Sequence, residues 1–133
     1  MNNTLKLTKY ILDILKSDDG VKQVISTDNI LPVDARLGTD FPFSVVTRTS
    51  MQCADNKDGR YEDIVYFSVV VVDDTYIGSI DIAQAMRNAL DHHDYHNDEV
   101  SISEIRLENA TENLYNDVFI QQLDFVAYFD LVI

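Results

Sequence analysis

The chain has 133 residues, of which 46% are hydrophobic and 25% charged, so it suits one folded domain over residues 1–133 and argues against disorder. Its net charge of −13, with only ten lysines and arginines, argues against nucleic-acid binding, which depends on cations that neutralise phosphates. The single cysteine, Cys53, excludes an internal disulfide and a cysteine zinc site, and the longest apolar run, residues 69–72, is far too short to span a membrane. We therefore expect a soluble protein of a reducing cytoplasm.

The first third of the chain predicts helices and then a loop. Apolar residues recur at helical spacing between residues 5 and 15, after Thr4, which could cap that helix. A break at residues 17–20 follows, and Asp18 or Asp19 can cap a short second helix. A brief extended segment over residues 29–33 and a loop over residues 34–42 lead to the next part.

From residue 43 the apolar pattern alternates, which predicts β-strands. Residues 43–50 and 61–72 are expected to pair as an antiparallel hairpin. Between them lies a polar loop, residues 52–60, with the turn signal Asp58-Gly59.

The second half of the chain predicts one helix and two further strands. Ser79 is a candidate N-cap of a helix that ends near Asp91. A strand over residues 100–107 with a bulge, a polar segment over residues 108–117 and a last strand over residues 118–132 follow. The order predicts an α+β fold with a mainly antiparallel four-stranded sheet, β-β-α-β-β, packed by an N-terminal helix and one central helix.

The two longest predicted strands carry apolar side chains on both faces. They span about 12 to 15 residues, against a usual ~5–6. The helices can cover only one face, so the other is expected to be an interface with another protein surface. The alternative is that strand twist and the N-terminal helices cover both faces. The side chains that would remain uncovered are Ile64, Tyr66, Val70 and Val72 of the second strand, or their counterparts.

Motifs for chemistry are scarce. His92 and His96 are four residues apart, so on a helix they could share a divalent metal, whereas a position just past a helix end favours a solvated turn. The Asp-Gly pairs do not fit an EF-hand loop, and no phosphate-binding glycine motif or nucleophile elbow is present. Cys53 is interpreted as a surface thiol. We predict no catalytic, metal or cofactor site and no enzyme activity; a metal-dependent enzyme built on the three histidines, with His93, is the alternative.

Four segments together resemble one protein family. They are FPFSVV (41–46), YEDIVYFSV (61–69), IAQAMRNALD (82–91) and ENLYNDVFIQQLDF (112–125). In their order, and in the helix that precedes them, they resemble the tail-completion, or tail-terminator, family of long-tailed bacteriophages and prophages. The resemblance extends over most of the chain from about Ile11.

The resemblance implies a structural protein that closes into a ring, usually of six copies, on the head-proximal end of the tail tube. Such a ring ends tube growth and forms the head-tail joining surface. The implied partners are further copies, the tail-tube protein and a head-connector or neck protein, with DNA only passing through the lumen and no membrane. From the net charge we further hypothesise that this lumen is acidic, which would let DNA pass without adhering. The implied location is the virion tail, assembled in the host cytoplasm. A neck or head-closure protein of similar build and a non-viral α+β interaction module are the alternatives.

Three surfaces are candidate contacts in such an assembly: the loop over residues 52–60, the outward face of the strand over residues 61–72, and the polar segment over residues 108–117. Arginine is favoured at interfaces, so exposed arginines join these surfaces as candidates. The candidate interface residues are Arg48, Arg60, Tyr61, Ile64, Tyr66, Arg87 and Tyr115.

Overall fold

Helices and strands account for most of the chain in the computed structural model, which describes residues 3–55 and 61–130. The helices are α1 (Leu7–Ser17), α2 (Asp19–Lys22) and α3 (Tyr76–Leu90), with short 3-10 turns at Thr4–Lys6 and Thr27–Asn29. The strands are β1 (Ile30–Pro32), β2 (Phe43–Asp55), β3 (Tyr61–Asp73), β4 (Tyr95–His96), β5 (Ser101–Tyr115) and β6 (Val118–Phe129). The α+β class is confirmed.

The strands form one sheet in the order β1-β2-β3-β6-β5-β4. β1 runs parallel to β2, and all the other neighbours are antiparallel, including the β2–β3 hairpin that the sequence predicts. The described sheet therefore has six strands, and the prediction of four is wrong. The two additional strands, β1 and β4, are short edge strands, and segments of two or three residues carry no readable alternation.

The β5–β6 hairpin is longer than predicted. Residues 108–115, expected to be an irregular polar segment, continue β5 and pair with β6 up to Tyr115–Val118. Asn116 and Asp117 form the turn, both with positive φ (49° and 63°), as a tight two-residue hairpin turn requires. Register shifts next to Ile102 and Leu107 confirm the predicted bulge.

Other boundaries also differ from the prediction. β2 continues to Asp55, which places the start of the predicted loop, residues 52–55, in the strand. Residues 56–60, with the predicted Asp58-Gly59 turn, and residues 131–133, where the last strand was expected to end, lie outside the described residues.

The helix caps are only partly as expected. Asp18 caps α2, since its Oδ2 accepts a hydrogen bond from the Val21 N–H at 3.0 Å, whereas Thr4 makes no side-chain cap and lies in the 3-10 turn before α1. Helix α3 begins one turn earlier than predicted, after Thr75. The expected cap, Ser79, is instead buried inside the helix, where its hydroxyl donates to the Tyr76 carbonyl at 2.7 Å.

The start of α3 is packed tightly against the end of β3. A Cβ at Gly78 would collide with the Asp73 carboxylate and the Thr75 hydroxyl. Glycine therefore stands in the first turn of the helix because the approach leaves no room for a side chain.

The core lies between the helices and one face of the sheet. Phe67 of β3 and Phe125 of β6 stack at its centre, with ring centroids 5.2 Å apart and planes 10° apart. Around them pack the apolar sides of all three helices, as the helical spacing predicts. The cluster includes Leu7, Ile11, Leu15, Val21, Val46, Val65, Val69, Ile82, Met86, Leu90, Leu123 and Phe129.

None of the helices within residues 3–55 and 61–130 combines the length and the apolarity needed to cross a bilayer.

Candidate assembly surface

The face of the sheet opposite the helices, here called the open face, carries apolar side chains. Strand alternation places Ile64, Tyr66, Val70 and Val72 of β3 on it, opposite the face that holds Phe67 and the core. All four are half-buried. The structure thus places the predicted contact residues Ile64 and Tyr66 on the side of the sheet that the helices do not pack.

A polar network crosses the middle of the open face. The Asp124 carboxylate accepts hydrogen bonds from the Ser68 hydroxyl at 2.7 Å, the Gln122 amide at 3.0 Å and the Asn109 amide at 3.4 Å. Burial alone would raise the pKa of Asp124, but these bonds outweigh it and hold the pKa below its ordinary value. Since the carboxylate finds its partners within the subunit, it fixes the sheet and leaves the apolar side chains on either side of it for contacts.

The end of the β5–β6 hairpin, residues 108–119, is here called the hairpin tip. Leu114 and Tyr115 on it are 57% and 63% exposed, so the predicted contact residue Tyr115 is one of the more exposed aromatic side chains described. The tip also carries the acidic residues Glu108, Glu112 and Asp117 and no lysine or arginine.

The hairpin tip is held in place by helix α3. The Tyr76 hydroxyl donates to the Glu112 carboxylate at 3.1 Å, and its ring packs on Phe119 with centroids 5.4 Å apart. The Gln121 amide donates both to Glu112 at 3.2 Å and to Ser79 Oγ at 3.3 Å. The tip is therefore preorganised, and Leu114 and Tyr115 follow directly on the residue that α3 anchors.

A groove of about 660 Å³ lies at the other edge of the sheet, between α1 and the β1–β2 pair. Four of the chain's ten lysines and arginines line it, together with one carboxylate, Asp13. We call it the basic groove. The four cations are Lys6, Lys9, Lys16 and Arg48, and the apolar lining consists of Leu5, Leu12, Pro32 and Val33.

Two of the four cations in the basic groove already have partners. Lys6 Nζ lies 3.1 Å from Glu99 Oε1, and Lys9 Nζ lies 3.2 Å from Asp13 Oδ2. Lys16 and Arg48 make no ion pair within residues 3–55 and 61–130. The predicted contact residue Arg48 is thus one of two available cations in the groove.

The remaining candidates have a different status. Arg87 lies on the exposed side of α3 and its Nε donates to Asp91 Oδ2 of the same subunit at 3.4 Å. Arg60 lies outside the described residues, as does the side chain of Tyr61. The sequence prediction missed Lys6, just before α1, and Lys9 and Lys16 within it, since cations along one side of a helical segment are also what a solvated helix shows.

The three histidines do not form a common site. His96 contacts Ser101 Oγ at 2.7 Å and Asp94 Oδ2 at 2.9 Å, His92 lies 3.4 Å from Glu104, and His93 contacts the Asn88 carbonyl at 3.1 Å. The helical arrangement that would join His92 to His96 is not formed, because His92 has a φ of 64° just past α3 and His96 lies in β4. No group of three metal-binding side chains occurs in the described part of the chain.

Asp91, next to these histidines, joins the end of α3 to β5. Its Oδ1 accepts the Leu107 N–H at 2.9 Å, and its Oδ2 accepts from Arg87. Burial acts to raise the pKa of Asp91, but the bond from Leu107 and the Arg87 charge prevail and lower it. The pKa of Asp73, at the end of β3, shifts in the other direction, because burial and the neighbouring Asp74 raise it.

These opposite shifts predict opposite effects on acid stability. A carboxyl whose pKa is lowered in the folded state stabilises the fold at pH values above its unfolded pKa of about 3.9, and this contribution is lost as the pH falls through the folded pKa. A carboxyl whose pKa is raised stabilises the fold in acid, and that contribution is lost as the pH rises through the folded pKa. We expect Asp91→Asn to cost about 1 kcal/mol at neutral pH and to flatten the loss of stability in acid. Asp73→Asn should steepen that loss. Urea unfolding at pH 7 and at acid pH measures both, and parallel profiles for the two variants would contradict the assignment.

Comparison with known proteins gives a likeness in structure and none in sequence. No family model matches the sequence, and no curated protein matches it either. A chain in the solved structure of the virion of a native gene transfer agent particle has the same fold, with a TM-score of 0.75 and 16% identity. The likeness covers 94% of this chain and 95% of that one. The protein therefore shares its whole fold with a chain of a virion.

Proposed function

We propose that this protein is a structural subunit of a phage-type particle that caps the head-proximal end of the tail tube as a ring. In that position it ends tube growth and offers the head-tail joining surface. The observation that carries the proposal is the likeness, over nearly the full length of both chains, to a chain of a gene transfer agent virion. The terminator role itself comes from the segments that resemble the tail-terminator family, over residues 41–46, 61–69, 82–91 and 112–125.

The surface of the molecule suits assembly better than catalysis. The open face holds half-buried apolar side chains such as Tyr66 and Val70, and the hairpin tip holds Leu114 and Tyr115 well exposed. Exposed apolar surface of this kind is typical of protein–protein contacts.

The proposed partners are further copies of the chain, the tail-tube protein and a head-connector or neck protein. By family resemblance the ring has six copies. The net charge of −13 suits a lumen through which DNA passes without adhering, because like charges repel the phosphates. A ring structure whose pore is basic would contradict this part of the proposal.

Tube growth provides the test. The tail-tube protein of the same genome is polymerised with and without this protein, and tube lengths and end-labels are measured by electron microscopy. A terminator shortens the tubes and labels one end of each. A neck or head-closure protein binds only ends that are already capped, and a small interaction module leaves tube length unchanged. Either of the last two results would reject the terminator role.

A further inference from the structure

We infer that the hairpin tip of one copy docks into the basic groove of the next copy, in a head-to-tail contact. The inference rests on the proposed ring and names the surfaces that close it. It joins two surfaces that are exposed in the described part of one subunit: an acidic tip with exposed apolar side chains and a cationic groove with an apolar lining.

Charge complementarity supports the pairing. In a chain of net charge −13, four cations gather in the basic groove, and Lys16 and Arg48 have no ion-pair partner among the described residues. The hairpin tip has three carboxylates and no cation. Of these, Glu112 is bonded to Tyr76 and Gln121, whereas Glu108 and Asp117 make no ion pair within the described residues. A tip in the groove would bring Asp117, in the turn beside Tyr115, towards Lys16 and Arg48, whereas Glu108 lies further back along β5 beside Val126 and Tyr128.

The apolar side chains also correspond. Leu114 and Tyr115 stand exposed on the tip, and Leu5 and Val33, both exposed, border the groove. Tyrosine at the centre of a contact, surrounded by charged groups, is the composition typical of binding hot spots. Because α3 already holds the tip in place, docking requires little further ordering of its backbone.

The positions of the two surfaces favour a head-to-tail arrangement. The groove lies at the β1–β2 edge of the sheet and the tip belongs to β5 and β6, so two strands, β3 and β6, separate β2 from β5 by about 14 Å of sheet. A two-fold contact that docks both tips and both grooves at once uses up both surfaces and ends at a dimer. A single tip in a single groove leaves a tip and a groove free for further copies, and it forms a ring when the rotation between copies closes.

Cross-linking between copies tests the contact directly. In a Cys53→Ser background, one protein carries Thr8→Cys in the groove and a second carries Asn113→Cys on the tip, so that all four groove cations are kept. A short bis-maleimide is added to each protein alone and to their mixture. We expect a cross-linked dimer that contains one copy of each protein, formed in the mixture in clear excess over either protein alone. A control mixture replaces Thr8→Cys with Gln23→Cys at the end of α2, which lies outside the groove lining.

A second variant separates docking from random collision. Leu114→Ala with Tyr115→Ala in the Asn113→Cys protein should reduce the mixed dimer about tenfold or more, with the thermal unfolding of the protein unchanged. Equal yields in the groove and control mixtures, or dimers of the tip protein alone, would overturn the inference. Capped tubes without the mixed cross-link leave the proposed function standing and reject the docking. The mixed cross-link without capped tubes would support the docking and reject the terminator role.

Discussion

Replacing Phe125 with alanine is expected to lower the free energy of unfolding by about 3–5 kcal/mol, the range for a large aromatic side chain lost from a core. Its side chain is only 1% exposed, and its ring stacks on Phe67 5.2 Å away. Phe125 lies in β6, which pairs with β3 on one side and β5 on the other, so its removal leaves a cavity over the middle of the sheet. Since domains are stable by about 5–15 kcal/mol in total, a loss of this size is a large fraction of the stability of the domain.

Phe41→Ala is the matched control for this prediction. Phe41 also stacks on a second ring, that of Phe43 at 5.7 Å, but it is 46% exposed and lies before β2. Its removal is expected to cost about 1 kcal/mol or less. Urea unfolding followed by circular dichroism gives both values, and a loss at Phe125 as small as that at Phe41 would show that the stacked pair is not at the centre of the core.

The central strands could be predicted because burial differs between their two faces. In β3, Val65 and Phe67 point into the core at every second position, and this alternation is visible in the sequence. β5 was only half predicted, because beyond residue 107 most of its side chains are exposed on both faces and the pattern disappears. The pairing of β6 with β3 was not predicted either, since alternation identifies strands but says nothing of which strand lies beside which.

Some of the candidate surfaces could likewise be predicted from the sequence, and others could not. Ile64 and Tyr66 were predicted as contact residues from strand phase, and Tyr115 from its place in the polar segment over residues 108–117. The basic groove was not found, because it joins α1 to β1 and β2, and Lys16 is 32 positions from Arg48 along the chain. Only the fold brings such residues together. For the histidines the reverse holds, because His92 and His96 are close in sequence but the turn after α3 keeps them from sharing a site.

The double substitution Leu114→Ser with Tyr115→Ser is expected to abolish tube capping while leaving the fold intact. Both side chains lie on the hairpin tip, more than half exposed, so their loss should change the free energy of unfolding by less than about 0.5–1 kcal/mol. If they anchor the contact between copies, their removal should weaken the affinity of one copy for the next by about tenfold to a hundredfold. Each subunit of a ring uses the same contact, so the loss recurs at every interface. Tube length by electron microscopy and thermal unfolding of the same preparation give the two measurements.

Ile77→Ser provides the matched control, because Ile77 is 65% exposed but lies on α3 instead of the hairpin tip. It also removes exposed apolar surface, although from one side chain instead of two, so a general effect of surface apolarity on tube growth would appear in both variants. Loss of capping with the tip variant alone assigns the contact to Leu114 and Tyr115. Normal capping by the tip variant would mean that copies meet elsewhere, and the open face around Tyr66 would then be the surface to substitute next.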